Sequence, residues 1–494
     1  MSAVLGAATQ VMEITTPTLG ANKLLALRVD GREALSRMSE YTIDCVGNAS
    51  VLTGRVKVDL HGMLGTRINV SIDVAGNKRY IDGYVIRALR GERHGRFDRY
   101  NLVLRPWLWF ATRTKTSRVF QDKTVKEIIS AVLDTYSSDY DWDLQGELPK
   151  LEYCVQYDET DFDFVSRLME EFGVYYFFKH SDSDHTLVLV DAMNKHPKRA
   201  SSGPLTWSNK LDGNSRLTGW HTLEEVRSTK AVVRDYDYLA SGTEIEAKDS
   251  GSQSATTAVL GEAEIYEFPA RAVQNQVAAK SKSAAKAADD VAKRIVEAAQ
   301  SMQKLHSGEC NAHDMTAGVT FKLTNAPRSE EDAEYLIVAC EFSAEYGDQE
   351  AITDLKNIKQ RRDGFIGNIQ AIHATKGLFR PERNTPRPRM HGPQIATVVG
   401  ASSNEIETDE NGRIKIQFPW DREGEKDQNS SCWVRVAQPW AGEKMGLWML
   451  PRIGHEVVVS FIGGDPDRPI VTGSVHNDAN PPPYKLPAHA DVST

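Results

Sequence analysis

The feature that most constrains the fold is a series of short alternating segments between Pro393 and Asn477. Apolar and polar residues alternate along these segments, which is the pattern of a β-strand with one buried and one wet face. The residues predicted to face inwards are Ile414, Ile416, Phe418, Val434, Val436, Val457, Val459 and Phe461. Glycine, proline and aspartate separate the segments, as expected of turns. Five or six short strands in about 80 residues predict a small closed barrel of the OB type.

The polar residues of the same segments form the opposite face. Arg413, Lys415 and Gln417 alternate with the first apolar set, and Arg435 lies within the second. Because a shift of one residue would exchange the two faces of a strand, these four side chains are predicted to point outwards. Lys415 and Arg435 are also candidates for a subunit interface.

Composition and charge exclude several function classes. A net charge of -9 argues against a nucleic-acid partner, whose phosphates need a concentrated positive surface. No run approaches the roughly 20 apolar residues of a membrane span, so no stable membrane insertion is expected. The five cysteines are scattered, and Cys310 with His313 would supply only half of a tetrahedral zinc site. We therefore expect no metal and no cofactor.

The spacing of the apolar residues changes along the chain and so divides it into segments. We expect a fold that is mainly β with accessory helices. The predicted segments are an N-terminal tail (1–21), a first β-barrel (22–121), a helical segment (122–173), a second β-barrel (174–375), a Pro/Arg-rich linker (376–392), the OB-type barrel (393–477) and a C-terminal segment (478–494). Two helices are predicted in the helical segment, from Thr124 to Tyr136 and from Asp161 to Phe172. Thr124 and Glu127 form a capping box at the start of the first.

An acidic run at the start of the second helix is the best catalytic candidate in the chain. It comprises Asp158, Glu159, Asp161 and Asp163. Paired carboxylates can share acid and base roles, as in glycoside hydrolysis. Acidic residues at a helix N-terminus are also favoured by the helix dipole alone, and the run lacks the glycine of a calcium loop. The structural interpretation is stronger, and no catalytic residue is assigned.

A long helix is predicted within the second barrel, over residues 271–305, where alanine, lysine and glutamate are frequent. Its apolar residues, among them Val291, Ile295, Met302 and Leu305, alternate at spacings of four and three. Such a heptad predicts a subunit interface, but a helix packed on its own domain shows a similar stripe. The linker that follows carries several arginines, which we expect to bind acidic groups on a neighbouring domain or subunit.

Longer motifs carry a resemblance to a known family. RPRMHGPQIATVVG, TDENGRIKIQFPWDREG, SSCWVRVAQPWAG and PRIGHEVVVSFIGGDPDRPIVTGSVHN resemble the spike-core barrel of the VgrG family of type VI secretion systems. Upstream, RYIDGYV, SRVFQDKTVKEII and YDETDFDFVSRLMEEFGVYYFFKH resemble the tail-hub portion of the same family. These motifs occur in the family's order over nearly the whole chain.

The resemblance implies a structural protein and not an enzyme. Its expected partners are two further copies in a homotrimer, an Hcp-like hexameric tube, baseplate proteins and, at the far end, a PAAR-type tip with effectors. The family is cytoplasmic before firing and is then secreted by the apparatus without a signal peptide. Residues 478–494 are expected to begin a needle of which most is missing, which puts direct docking of the tip in doubt.

Three alternatives stay open at this point, of which a nucleic-acid-binding OB protein is opposed by the acidic charge of the chain. A contractile phage baseplate hub belongs to the same structural class. A spike with peptidoglycan hydrolase activity is a second possibility, which only the acidic run supports.

Overall fold

The protein is described here by a computed structural model. It covers residues 11–17, 19–21, 23–47, 58–74, 77–94, 97–201, 203–209, 215–251, 263–273, 281–345 and 364–492. Strands greatly outnumber helices in these ranges, so the predicted fold class, mainly β with accessory helices, is confirmed.

The elements fall into four groups along the chain. The first comprises β1 (Val11–Thr16), β2 (Gly20–Ala21), β3 (Leu24–Ala34), β4 (Glu40–Gly47), α1 (Leu60–Met63), β5 (Arg67–Val74), β6 (Asn77–His94) and β7 (Phe97–Arg105). The second comprises β8 (Lys115–Thr124), α2 (Val125–Leu133), β9 (Tyr140–Asp143), β10 (Lys150–Thr160), α3 (Asp161–Phe172), β11 (Tyr175–His180) and β12 (His185–Val190). The third comprises β13 (Leu205–Trp207), β14 (Arg216–Glu224), β15 (Lys230–Asp235), β16 (Ile245–Ser250), β17 (Glu264–Glu267), α4 (Ser281–Gln300), β18 (Lys304–Cys310), β19 (Thr320–Thr324), β20 (Glu334–Glu345) and β21 (Gly364–His373). The fourth comprises β22 (Gln394–Val399), β23 (Lys415–Gln417), β24 (Arg435–Val436), β25 (Ala441–Gly442), β26 (Met445–Gly446), β27 (Glu456–Phe461) and β28 (Pro469–Val475).

The first group and six strands of the third group share one sheet of 13 strands, whereas β15, β16 and β17 form a separate three-stranded sheet. The order of the large sheet is β19-β13-β14-β18-β21-β20-β3-β4-β7-β6-β5-β1-β2. β3 and β20 pair antiparallel within it, with Val29 opposite Ala344. Six strands, β20 to β19, lie on one side of this junction, and β19 also pairs with β20, which closes that half into a barrel. Six strands and the short β2 lie on the other side. We call the two halves together the hub.

A continuous hydrophobic core joins the two halves of the hub. Val29 and Tyr41 from the first half belong to the same buried cluster as Phe342 and Ile369 from the second. Gly31 is needed at this contact, because a Cβ atom there would lie 2.2 Å from the ring of Phe342. The two halves therefore fold on each other and do not form separately packed domains.

The helical segment has wider limits than predicted. β8 pairs with β10, and the predicted boundary at 121 falls inside β8. β12 pairs with β9, and the predicted boundary at 173 separates these two strands. Between them α2 begins at the predicted capping box, and α3 spans the predicted residues. β1, placed in a tail by the sequence, pairs with β5 and extends the first half of the hub.

The predicted helix over residues 271–305 is shorter in the structure. Residues 274–280 lie outside the described residues, and α4 spans Ser281–Gln300. Leu305, predicted to be helical, lies in β18, which pairs with β14 and β21. The apolar residues after Gln300 keep a helical spacing by chance, although this segment is a strand. Its hydrogen bonds are made with distant parts of the chain, and local spacing does not reveal them.

The C-terminal residues form a closed five-stranded barrel. The strand order is β23-β22-β27-β28-β24, and backbone hydrogen bonds between Ile414 and Val434 of 2.8 and 2.9 Å join its two edges. Six of the residues predicted to face inwards are buried together, namely Ile414, Ile416, Phe418, Val434, Val457 and Val459. Val436 and Phe461 are partly buried against this cluster.

Gln417 was predicted to point outwards and is instead buried. Its amide nitrogen donates to the carbonyl oxygen of Gly424 at 3.0 Å, and its amide oxygen accepts from the backbone N–H of Lys426 at 2.7 Å and from the Ser430 hydroxyl at 3.0 Å. A polar side chain is tolerated inside when its hydrogen bonds are satisfied, and here it fixes the loop after β23.

Two partly buried histidines are held neutral by their surroundings. The Asp82 backbone N–H donates to Nδ1 of His180 at 3.1 Å, and burial, His185 and Arg79 lower the pKa of His180 well below its usual value. His196 lies between the Tyr175 hydroxyl, 2.9 Å from its Nε2, and the Gly318 carbonyl oxygen, 3.0 Å from its Nδ1. Burial lowers the pKa of His196 to about 4.

Acidification should therefore destabilise the hub before carboxylates titrate. In the unfolded chain His180 and His196 bind protons near pH 6.5, whereas in the folded chain they do not. Their contribution to the free energy of unfolding is therefore complete above that pH and decreases below it. For His196 we expect a loss of about 1.4 kcal/mol per pH unit between pH 6.5 and about 4, and His180 should add a loss in the same direction. Thermal melts from pH 7 to 4.5 measure this. His196→Gln should flatten the slope, and His476→Gln, at an exposed position, should not. Equal melting temperatures at pH 7 and 5 would contradict it.

Candidate functional site

The hub and the C-terminal barrel are joined by a buried cluster of charges around Arg271. The Arg271 guanidinium lies 2.5 Å from Oδ2 of Asp467, is hydrogen-bonded to Asp465, and lies 3.3 Å from Oε1 of Glu171. Arg387 from the linker pairs with the same Glu171 and lies 3.5 Å from Asp467. We call these five residues the junction cluster. Two guanidinium groups and three carboxylates compensate one another away from water.

Local structure brings these side chains together from four segments of the chain. Glu171 lies in the last turn of α3, which ends at the left-handed Gly173. Asp465 and Asp467 lie in the turn between β27 and β28, and the backbone N–H of Val155 in β10 donates to Oδ1 of Asp467 at 2.6 Å. Arg271 follows β17. The turn of the barrel is thus fixed to both the helical segment and the hub.

The charges of the junction cluster stabilise one another. Burial opposes ionisation of Glu171, but Arg387 and Arg271 outweigh it and hold the pKa of that carboxyl well below its usual range. Burial in turn disfavours the charged form of Arg387. Because buried charges are tolerated only when paired, each group of the cluster depends on the others, and the cluster favours one orientation of barrel on hub.

The linker arginines bind acidic groups elsewhere in the chain, which confirms the expectation for this segment. Arg380 lies 2.7 Å from Glu297 of α4, and Arg383 lies 3.0 Å from Glu267 of β17. Thr385 donates through its backbone N–H and its hydroxyl to Glu170 of α3, both at 2.8 Å. The linker is therefore held along its length by α3, α4 and β17.

The acidic run is used structurally. Asp158 is exposed and pairs with Lys115, and Asp163 accepts from the capping Thr160. Glu159 is buried against Arg167, which donates to it at 2.7 Å. The buried Asp161 accepts from three groups, Arg118 at 2.9 Å, Tyr136 at 2.6 Å and Gln156 at 2.7 Å. Each carboxylate already has a partner that explains its position.

We expect Asp161→Asn to cost about 1.5 to 3 kcal/mol of unfolding stability, because it removes a charged hydrogen-bond acceptor from Arg118 in a buried site. Asp158→Asn, at an exposed pair, should change stability by less than about 1 kcal/mol. Thermal melts compare the two variants, and a peptidoglycan turbidity assay accompanies them. Hydrolysis by the parent chain that Asp161→Asn abolishes without unfolding would show that the acidic run is catalytic.

The residues predicted for a subunit interface have different surroundings. Val291 and Ile295 are buried in the chain itself, against Ala231 and Val233 of β15 and Ile245 of β16. Met302 and Leu305 are partly buried and pack on a second internal cluster. The stripe packs on its own chain, which favours the alternative of an internal face, and a subunit interface on this stripe stays a prediction.

The two polar candidates on the barrel also differ from each other. Lys415 is half-buried, donates to the Ser431 carbonyl oxygen at 2.7 Å and lies 4.7 Å from the ring centre of Trp433. Arg435 is exposed and stacks on Tyr238 of the hub at 4.5 Å. Of these two side chains, Arg435 is the one that is free to contact another molecule.

The described residues contain no group of three or more ligands that could hold a metal ion. Cys310 and His313, which have metal-like spacing, are both buried, and burial raises the pKa of the Cys310 thiol to about 12. Among the described residues no helix has the length and apolar character needed to cross a membrane.

Comparison with known proteins matches this architecture part by part. The family model described as the phage tail baseplate hub matches residues 32–349, and the model for the type VI secretion system/phage-baseplate injector OB domain matches residues 395–476. Among solved structures, an E. coli component of the type VI secretion system, the c3393 protein, superimposes with a TM-score of 0.64 at 18% identity, covering 94% of this chain and 99% of that one. This similarity shows the fold.

Relatives found by their sequence have a higher identity to this chain. The type VI secretion system spike protein VgrG1b of Pseudomonas aeruginosa is 36% identical over 98% of this chain, and VgrG1a of the same organism is 35% identical over 98%. The chain spans 63% of the length of VgrG1b and 72% of VgrG1a. These relatives are named as spike proteins and not as enzymes. The chain belongs to the VgrG family of type VI secretion system spike proteins.

Proposed function

We propose that the protein is a structural hub and spike subunit that acts as a symmetry adaptor in a type VI secretion system. The observation that carries this proposal is the arrangement of the hub, in which six strands lie on one side of the pairing between β3 and β20 and seven, counting the short β2, lie on the other. The sequence did not reveal an internal repeat, but the sheet contains two halves of similar strand number. Each subunit therefore offers two comparable units to a partner.

Three such subunits around an axis would present six comparable units. A homotrimer could then bind a hexameric tube of Hcp-like rings, each half of a hub facing one ring subunit. The junction cluster supports this role, because it fixes the C-terminal barrel on the hub and so transmits load between tube and tip. Baseplate proteins would contact the outside of the hub.

The delivery steps follow from the same role. The protein would assemble in the cytoplasm and leave with the tube when the apparatus fires, without a signal peptide. A PAAR-type tip and effectors are further proposed partners at the barrel end. One chain of a Francisella PdpA-VgrG complex has a TM-score of 0.58 to this chain at 8% identity, which shows a shared fold.

Light scattering after size-exclusion chromatography tests the assembly step. We expect a mass of three times the 55.0 kDa of the chain. A monomer or dimer at every concentration up to about 100 μM, well above the range in which specific interfaces form, would contradict the proposal.

A contractile phage baseplate hub remains the second candidate, favoured by the family model that matches residues 32–349. Pull-down against purified tube proteins distinguishes the secretion-system role from the phage-baseplate role. Retention of an Hcp-like ring supports the secretion role, and retention of a phage tail-tube protein alone supports the phage role.

A further inference from the structure

A cleft of about 560 Å³ lies where the third group of elements meets the C-terminal barrel. Its lining is largely apolar and includes Tyr238, Leu239, Phe268, Trp433 and Ile462. Leu239 and Phe268 are 57% and 60% exposed. Contiguous exposed apolar side chains are uncommon on a free surface and mark interaction sites.

Polar groups without partners accompany the apolar lining. Tyr153 lines the cleft, and its buried hydroxyl has no hydrogen-bond partner among the described residues. Arg435 and Arg468 also line the cleft, and neither forms an ion pair with a described residue. The cleft is also lined by the acidic Glu152, Asp237 and Asp467, so a carboxylate would be favoured only at the end where Arg435 and Arg468 lie. An apolar ligand with one carboxylate directed to that end fits this lining.

A surface with those properties lies elsewhere on the same barrel. The hairpin of β25 and β26 and the residues beside it expose five large apolar side chains, Trp440, Met445, Leu447, Trp448 and Met449, at 54 to 64%. Its turn carries a single acidic residue, Glu443, which is exposed. No residue of this hairpin lines the cleft of its own chain. We call it the apolar hairpin.

We propose that the apolar hairpin of one copy inserts into the cleft of the next copy, with Glu443 facing Arg435 and Arg468. Apolar surface and charge are complementary on the two sides, and tryptophan and methionine are enriched in the centres of interfaces. The contact is heterologous, since one copy's hairpin meets another copy's cleft. Closed around a threefold axis, it uses every hairpin and every cleft. The inference rests on the trimer proposed above and names the surfaces that form it.

Charge reversal tests the pairing in the full chain. Glu443→Arg should raise the concentration at which the trimer dissociates by at least tenfold, because two like charges would then face the new arginine. Arg435→Glu should do the same, and the two changes combined should recover most of the loss. Lys444→Glu, next to Glu443 in the turn, is the matched control. Circular dichroism spectra of all variants should match the parent chain, since neither side chain forms an ion pair with a described residue of its own copy.

Crosslinking tests the geometry independently. Lys444→Cys combined with Ile462→Cys should give covalent trimers on a non-reducing gel after oxidation, whereas Lys444→Cys combined with Leu89→Cys in β6 should not. A stable trimer that ignores charge reversal, or that crosslinks only in the control, overturns the pairing and leaves the proposed function standing. A parent chain that never trimerises overturns both.

Discussion

Arg271→Met is expected to lower the free energy of unfolding by about 3 to 5 kcal/mol, the range for removing one partner of a buried ion pair. Methionine keeps much of the volume but leaves Asp465, Asp467 and Glu171 close together with Arg387 as the remaining guanidinium group of the junction cluster. Because these carboxylates come from the barrel and from α3, the loss should concentrate at the contact between barrel and hub.

Calorimetry and limited proteolysis measure the two consequences. The melting temperature should fall, and trypsin should cut the linker between 376 and 392 faster than in the parent chain. Arg383→Met is the matched control, since Arg383 lies in the same linker but pairs with Glu267 at a half-exposed site, where an ion pair contributes about 1 kcal/mol or less. Equal effects of the two substitutions would show that the junction cluster does not hold the barrel.

Phe418→Ala should cost about 3 to 5 kcal/mol, because a cavity would replace a buried aromatic side chain. Phe418 is 2% exposed, and its ring stacks on Trp420 and Phe461 with centroid distances of 4.9 and 5.8 Å. These contacts lie in the centre of the C-terminal barrel, so its thermal transition should move most.

Lys415→Ala supplies the comparison on the opposite face of the same strand. It removes one hydrogen bond to Ser431 and the contact with Trp433, and we expect a loss of about 1 to 2 kcal/mol with no change in mass. A larger loss for Lys415→Ala than for Phe418→Ala would mean that the two faces of β23 are reversed.

Local pattern was sufficient where a side chain's environment follows from its own strand or helix. The alternation around Ile414 and Phe418 placed both on the face that the structure buries. The capping box of Thr124 and Glu127 placed the start of α2 correctly. In each case the signals lie within a few residues of the element that they define.

Pairing between strands that are far apart in the sequence could not be predicted from local patterns. Nothing in β3 or β20 alone predicts that they join the two halves of the hub. Arg271 was missed for the same reason, since its partners come from α3 and from the turn after β27. The only local signal was two aspartates, Asp465 and Asp467, in a short turn between apolar strands. The apolar stripe on α4 was ambiguous for a different reason. Its spacing fits a subunit interface and an internal face equally well.

The central claim is that each subunit contributes two comparable units to a threefold assembly. End-on class averages of the purified protein by electron microscopy test it most directly. The account predicts particles with threefold symmetry whose rim shows six lobes of similar size, two from each hub. Single-copy particles, or closed rings with any number of subunits other than three, would contradict it.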